Sequence, residues 1–366
     1  MMNIRIADIS DRDAWDNYVL THPKGIAYQL FAWKEAVKNS YGFDGIYLIA
    51  EQNRRVKGIL PLIQLHFPFM KGKLVSLPYC DAGGPLADSV EIEKELLLYA
   101  LNFSVSSNKI VRASVNIRST APFACIEPEL TVKQEKVRML LDLPDCSESL
   151  LKSLKAKLRS QIKKPIRDGL TVQIGGKELL GEFYPLFAEN MRDLGSPVHS
   201  RKWIQSILEA YKNRAQLVIV RMPDKKVAAG GVLLCHPHTV SVPWASSLRR
   251  YNLWNPNMLL YWTFLRFASD NGYKIFDFGR STPGEGTFQF KKQWGAEPAS
   301  LHWAEFNGYD DCSASNSIKL SSNLLSDASG NKGTGILRRA GETFFMNLPV
   351  GVSKAVAPFV RRYISL

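Results

Sequence analysis

Residues 33–65 read WKEAVKNSYGFDGIYLIAEQNRRVKGILPLIQL, and residues 203–235 read WIQSILEAYKNRAQLVIVRMPDKKVAAGGVLLC. Each opens with a tryptophan on a short helical pattern and passes into an apolar strand-like run. A polar, basic turn follows (QNRR or PDKK), and then a second apolar run. Trp203 lies 170 residues after Trp33, and Val227 lies 171 after Val56. A period that long does not make a solenoid, because each unit has enough chain to bury its own core. The pattern therefore predicts two similar mixed α/β lobes; chance agreement between two generic helix–hairpin units is the alternative.

Working outward, a chain of 366 residues with 45% apolar and 22% charged residues supports two lobes of ordinary size. The opening MMNIRIADISDRDAWD lacks a signal-like apolar segment. No run reaches the roughly 18–20 apolar residues of a membrane span. The expectation is a cytoplasmic protein, with contact to the inner-membrane surface left open. Cys80, Cys125, Cys146, Cys235 and Cys312 are scattered without a CxxC pair, so no disulfide framework is expected. The run Cys235-His236-Pro237-His238 lacks further partners and reads as a polar hairpin edge, so no metal site is expected.

The net charge of +13 favours an anionic partner. Nucleic acid, acidic lipid, a nucleotide diphosphate and coenzyme A all qualify. Between Glu148 and Asp168 lie Lys152, Lys155, Lys157, Arg159, Lys163, Lys164 and Arg167, with no acid among them. Leu150, Leu151, Leu154, Leu158 and Ile162 give this stretch an apolar face, predicting a basic amphipathic helix that Pro165 stops or kinks. It is either a solvated connector or a contact for an anion or membrane surface.

The pattern places a first lobe at residues 1–145 and a second at 146–308. Residues 309–366 form a polar linker and a basic, apolar tail, which packs back on the first lobe or touches a membrane. In the first lobe, helices are expected near residues 31–40 and 88–104, with strands at 46–50, 56–65, 73–77 and 110–115. In the second, helices are expected near 178–190, 200–212 and 257–271, and strands at 215–222, 227–235, 239–245, along YKIFDFG and at 301–306.

Candidate chemistry concentrates between Ser241 and Pro298. VPWASSLRRYNLWNPN sets Trp244, Tyr251, Trp254 and Asn257 around a polar loop. DFGRS then puts Asp277, Arg280 and Ser281 at the carboxyl end of a strand, where α/β folds place sites. Gly284 and Gly286 allow a tight turn, and Gly286-Thr287 offers backbone N–H groups to an anion. Lys291 follows within reach of the same loop. His199, beside a helix start, is a candidate proton shuttle or a packing residue. Neither GxxxxGK[ST] nor GxGxxG occurs, and the DFG triplet has no accompanying kinase motifs. No Ser-His-Asp or Cys-His spacing argues for a covalent acyl-enzyme.

The region from about Leu150 to Ala304 resembles the acyltransferase-like domain of the FemAB family. The matching residues are R-x-x-I-x-K-x-I-R-x-G-L at Arg159–Leu170, N-x-x-x-x-G-S-P-V at Asn190–Val198 and N-x-x-L-x-W at Asn257–Trp262. They continue with GYKIFDFGRS at Gly272–Ser281 and GTFQFKKQWG at Gly286–Gly295. YQLFAWKEAVKNSYG and PYCDAGGPLAD, earlier in the chain, look like the subgroup associated with exosortase and exopolysaccharide loci. The resemblance covers about residues 5–306 and implies a tandem pair of Gcn5-related N-acetyltransferase-like lobes.

Members of that family form an amide by transferring an amino acid from aminoacyl-tRNA to a peptidoglycan precursor. Here the resemblance implies an N-acyltransferase acting on a cell-envelope or exopolysaccharide precursor. The expected substrates are an acyl-CoA donor, not a tightly bound cofactor, and a nucleotide- or lipid-linked amino sugar; no DNA contact is expected. The alternatives are transfer from charged tRNA to a peptidoglycan precursor and a non-catalytic scaffold. Two departures keep the donor open: the helical arm some members wrap around tRNA is absent, and so is the R/Q-x-x-G-x-G/A loop of ordinary acetyl-CoA enzymes. By motif position Lys34 and Arg280 or Lys291 contact a substrate diphosphate. Trp244, Asn257, Ser281, Thr287 and His199 are the further substrate-binding candidates. Asp277 is expected to accept a proton or orient the amine, with Tyr251 near the oxyanion.

Overall fold

The computed structural model describes residues 2–66, 72–106, 114–123, 132–306 and 341–365. The chain divides into two compact units. The first comprises residues up to Glu135, a return segment from Ser300 and the last four residues; the second comprises Lys136–Ala299 and Leu337–Arg362. Each carries its own set of strands of mixed sense.

In the first unit the strands are β1 (Asn3–Ile6), β2 (Gly45–Gln52), β3 (Arg55–Leu65), β4 (Lys73–Val75), β5 (Leu86–Ala87), β6 (Ser114–Ser119) and, from Ser300 onward, β13 (Glu297–Phe306). The sheet runs β1-β2-β3-β4-β6-β13, with β5 paired to β3. All neighbours are antiparallel except β4 and β6. Its helices are α1 (Arg12–Thr21), α2 (Phe31–Tyr41) and α3 (Val90–Ser106). The repeated Trp33 is fully buried on α2, and its indole N–H donates to the Pro78 carbonyl at 3.1 Å. Gly58 on β3 makes room for α3, since a Cβ there would meet Ile92 Cγ2 at 2.7 Å.

The second unit carries β7 (Val132–Asp142, from Lys136), β8 (Thr171–Gly175), β9 (Ala215–Arg221), β10 (Val227–Cys235), β11 (Thr239–Ser247) and β12 (Ile275–Ser281). Their order is β8-β9-β10-β11-β12-β7, again antiparallel throughout except for one pair, β11 and β12. Strand order and sense repeat those of the first unit position by position, which is the structural form of the sequence repeat. The helices are α4 (Ser147–Ser153), α5 (Ala156–Arg167), α6 (Leu180–Asp193), α7 (Arg201–Tyr211), α8 (Pro256–Asp270), α9 (Gly286–Lys292) and α10 (Val350–Arg361). Trp203 on α7 is as buried as Trp33. Gly231 on β10 admits α8 as Gly58 admits α3: a Cβ there would meet Phe264 Cζ at 2.7 Å.

The expected single basic helix is two, parted at Leu154–Lys155, where the Arg159 guanidinium donates to the freed carbonyls of Lys152 and Leu154. Pro165 does not stop α5: the helix runs on to Arg167 with the proline buried inside it, and Gly169 follows with a φ of +83°. Leu150, Leu154, Leu158 and Ile162 enter the core of the second unit. The unit boundary falls at Glu135/Lys136 rather than near residue 145, because β7 pairs with β12. The tail also departs from expectation. Among the described residues of the tail, 341–362 belong to the second unit, where α10 packs on α6, and 363–365 join the first. The expected linker falls largely outside the described residues. Among the described residues no helix is long and apolar enough to cross a membrane.

Candidate functional site

The most unusual backbone feature of the second unit lies between its parallel strands. β11 and β12 pair at Thr239↔Ile275, Val240↔Phe276 and Ser241↔Asp277. Beyond that point β11 continues to Ser247 and β12 to Ser281, with no further pairing between them among the described residues. Each strand carries a bulge where the pairing stops. On β11 the step from Ser241 to Trp244 faces the shorter step from Leu234 to Val232 on β10. On β12 the step from Asp277 to Arg280 faces Leu140 to Arg138 on β7. Bulges add local twist and turn a strand away from its neighbour. Pro243 falls in the first bulge, where it supplies no ladder donor. Gly279 falls in the second with a φ of +75°, a conformation that favours glycine, and a Cβ there would meet the Val242 carbonyl at 3.3 Å.

The side chains that the sequence marked for chemistry hold this bulge in place. Asp277 is 2% exposed; its Oδ1 accepts the Gly279 N–H at 2.8 Å. Its Oδ2 accepts from Arg138 Nε at 3.1 Å and Nη2 at 2.7 Å, forming a buried ion pair. Lys291, 7% exposed on α9, donates to the carbonyls of Gly279 at 3.1 Å and Arg280 at 2.8 Å. Asp277 is thus placed to hold the β12 bulge, and Lys291 braces the same backbone. Arg280 and Ser281 lie on the stretch of β12 beyond the parting, Arg280 half-buried and Ser281 buried. The Ser281 hydroxyl has no hydrogen-bond partner among the described residues.

On the β11 side, Trp244 is half-buried and packs edge-on against both His199 and Trp203. The loop after β11 is a 3-10 turn, Arg249–Trp254, closed by Asn255 in the left-handed region and by Pro256 in the first turn of α8. Tyr251 lies in that turn with the Arg250 guanidinium over its ring at 5.2 Å, and Asn257 is half-buried in the first turn of α8. Thr287 is exposed in the first turn of α9. His199 is not at a surface: it is 1% exposed, stacks on Trp203, and its Nε2 accepts from Arg361 Nε at 3.0 Å. Burial, reinforced by the Arg361 charge, holds its pKa well below the ordinary histidine value. In this setting the imidazole packs against Trp203 and Trp244 and holds Arg361.

Lys34 belongs to the first unit, on α2. Its ammonium lies over the rings of Phe31 at 4.7 Å and Tyr47 at 4.9 Å and forms no ion pair among the described residues. Desolvation lowers its pKa, opposed by Asp8, Asp11 and Asp44. The stem fits only because residue 45 is glycine, whose Cβ would meet Lys34 Cγ at 2.8 Å.

The first unit has a counterpart to the parting, and it is filled. β4 and β6 also pair three times, ending at Val75↔Asn116. Ser76 then continues along β6, its N–H donating to Asn116 O at 2.8 Å and its hydroxyl accepting the Arg118 N–H at 2.7 Å. The buried Arg118 guanidinium donates to the carbonyls of Leu77, Cys80 and Ser365 and to the Ser365 hydroxyl. Tyr79 N–H adds a bond to Ser365 O at 2.7 Å. Sequence reasoning missed Arg118, Arg138 and Arg361. The only signal for the first two was an arginine inside an otherwise apolar strand pattern.

Residues 152–292 match the family model described as an acetyltransferase (GNAT) domain. No curated protein matches the chain. Among solved structures, FemX is similar with a TM-score of 0.63 at 15% identity, covering 82% of this chain and 96% of that one. A tandem GNAT protein from the clavulanic acid biosynthesis pathway is similar with a TM-score of 0.50 at 10% identity, covering 85% and 100%. L-PGS from Bacillus licheniformis has a TM-score of 0.51 at 11% identity, covering 99% and 98%. Likeness at these identities concerns the fold. The chain is thus a mixed α/β protein of tandem GNAT-like architecture, with an acetyltransferase (GNAT) domain at residues 152–292.

Proposed function

We propose that this chain is an N-acyltransferase that seats its acyl donor between β11 and β12 and transfers the acyl group to an amine of a cell-envelope or exopolysaccharide precursor. The observation that carries the reading is the parting itself. Two parallel strands that separate leave backbone N–H and C=O groups of both strands directed into the space between them. A ligand with an extended, amide-bearing arm satisfies such groups by adding to a strand. The pantetheine arm of an acyl-CoA has that character, so an acyl-CoA is the donor we favour. The neutral Ser281 hydroxyl at the far end of β12 offers one further polar partner.

The reaction that fits is direct attack of a neutral amine on the thioester carbonyl: the C–N bond forms, the C–S bond breaks, and the coenzyme A thiolate leaves and takes up a proton as the ammonium loses one. Backbone N–H groups freed on β11 stabilise the developing oxyanion, with Tyr251 as the side-chain candidate beside them. With Asp277 engaged in its ion pair, proton removal falls to solvent or to the substrate itself. Arg280 is proposed to contact the anionic part of the acceptor. Trp244 and Asn257 border the donor side, and Thr287 offers an anion contact at α9.

A second reading has its own support. The exposed Lys157, Lys163 and Arg167 give α5 a basic outer face suited to nucleic acid, and the FemAB-like sequence motifs point to aminoacyl-tRNA as donor. Mass spectrometry of an amino-sugar acceptor panel, with acyl-CoAs and charged tRNAs supplied separately, distinguishes the two. An acyl mass gain dependent on CoA donors supports the proposal, and a gain only with charged tRNA replaces it. Absence of product with either donor, with peptidoglycan precursor included, overturns both in favour of a scaffold.

A further inference from the structure

Helix α10 is turned inside out relative to an ordinary surface helix. Its inward face, which packs on α6, carries Ser353, Ala357 and Arg361, the last bonded to His199. Its outward face carries Val352, Val356, Phe359 and Val360, all exposed, with Phe359 at 70%. These positions recur at the three- and four-residue spacing of one helical face. The preceding segment continues the pattern with exposed Phe344 and Met346. A soluble surface helix normally shows the opposite polarity, and an exposed apolar stripe of this extent marks a contact site.

The segment is fixed to the second unit rather than loosely attached. Arg361 bonds to His199, and Arg192 at the end of α6 donates to the Leu348 carbonyl at 3.4 Å. Gly195 meets the backbone of Glu342 so closely that a Cβ would lie 2.7 Å from its carbonyl oxygen. The apolar face is therefore presented by a firm scaffold and is not a frayed end.

Charge decides what covers it. Residues 337–366 contain Arg338, Arg339, Lys354, Arg361 and Arg362 against the single acid Glu342, within a chain of net charge +13. A second copy of the chain would bring two such basic segments together, at a Coulombic cost. An anionic bilayer supplies the opposite charge together with an apolar layer for Phe359 and the valines, which is how interfacial amphipathic helices bind.

We propose that α10 and the residues before it dock the protein on the surface of an anionic lipid bilayer, with the Val352–Phe359 face buried at the headgroup boundary. The proposal is independent of the donor reading above. The test is co-sedimentation of the full chain with vesicles of phosphatidylcholine alone or mixed with phosphatidylglycerol, at low and high salt. A triple variant, Val352→Ser/Val356→Ser/Phe359→Ser, is run beside it. These side chains are exposed, so the variant keeps its fold, which circular dichroism and a thermal melt confirm. The expected result is binding to the anionic vesicles only, weakened by salt, and at least about tenfold weaker in the triple variant. No binding to either vesicle overturns the proposal. So does binding the triple variant retains in full, which would assign the contact to the basic face of α5. Self-association by analytical ultracentrifugation that the triple variant abolishes, without vesicle binding, overturns it in favour of a second copy.

Discussion

Replacing Asp277 by asparagine separates two roles that look alike in sequence. In the structure its carboxylate is the centre of a brace: Arg138 on one side, the Gly279 N–H on the other, with both ion-pair side chains no more than 10% exposed. Removing one partner of such a pair leaves a buried charge uncompensated, which costs about 3–5 kcal/mol. In a unit of this size about 1 kcal/mol shifts the melting temperature by roughly 2–4 °C, so Asp277→Asn is expected to lower it by about 6–20 °C. Arg138→Met should cost a similar amount, and the double variant less than the sum by about 0.5–3 kcal/mol. The assay is a thermal melt of the four proteins beside their turnover rates well below the lowest melting temperature. A general base would behave differently: its loss would lower kcat by about 10²–10⁴ with little change in stability. Asp277→Asn melting within about 2 °C of the parent, with turnover lost, refutes the brace and restores the carboxylate to the chemistry.

Three further outcomes follow from the same geometry. Lys34→Met removes a largely desolvated ammonium that lies over two ring faces, so a thermal melt should hold or rise slightly, and a fall of more than about 1.5 kcal/mol would show that its neighbouring carboxylates hold it in place. Gly279→Val forces a side chain into a positive φ facing Val242 O, at a cost of about 1–3 kcal/mol, and donor KM should rise as the parting deforms. His199 is held neutral in the fold, its pKa below the unfolded value near 6.5, so its contribution is present above that pH and fades as pH falls below it. Thermal melts between pH 5 and 8 should show a loss of up to about 1.4 kcal/mol per pH unit on the acid side, and His199→Gln should flatten it.

Much of this fold was legible because it rests on periodicity and on turn chemistry. The helix–strand–turn–strand plan at Trp33 and Trp203 became α2-β2-β3 and α7-β9-β10, and the apolar run before Gly272 became α8. What the sequence did not show was strand exchange along the chain. β7 opens the second unit and pairs with β12, and β13 returns to pair with β6; both partners are remote in sequence, and no local pattern encodes a remote partner. The parting of β11 and β12 was legible by region and not by residue. DFGRS marked the right strand end, since a glycine, an acid and basic residues after an apolar run signal a bulge with charged neighbours. A buried carboxylate reads the same in sequence whether it takes a substrate proton or holds an arginine, and Arg138 stood 139 residues away. The polarity of α10 escaped because a helical pattern shows that a helix has an apolar face and not which side the protein covers.

The two units share strand order, strand sense and a three-pair limit on the parallel contact, so the difference between them at that place is informative. In the first unit the strand edge beyond Val75↔Asn116 is occupied by Ser76 and its successors, and Arg118 binds three carbonyls and the Ser365 hydroxyl there. A buried guanidinium satisfied by four oxygens is costly to expose, so that position is closed to a ligand. In the second unit the corresponding edge beyond Ser241↔Asp277 has no such filler among the described residues. Its buried charges, Asp277, Arg138 and Lys291, grip the β12 backbone from the outside and hold the bulge. One strand arrangement thus has two outcomes, depending on whether polar side chains plug the parted strands or keep them parted. On the donor reading proposed above, one site per chain is expected, in the second unit. Equilibrium dialysis of an acyl-CoA should therefore saturate at one equivalent, and two equivalents would show that the Arg118 plug opens.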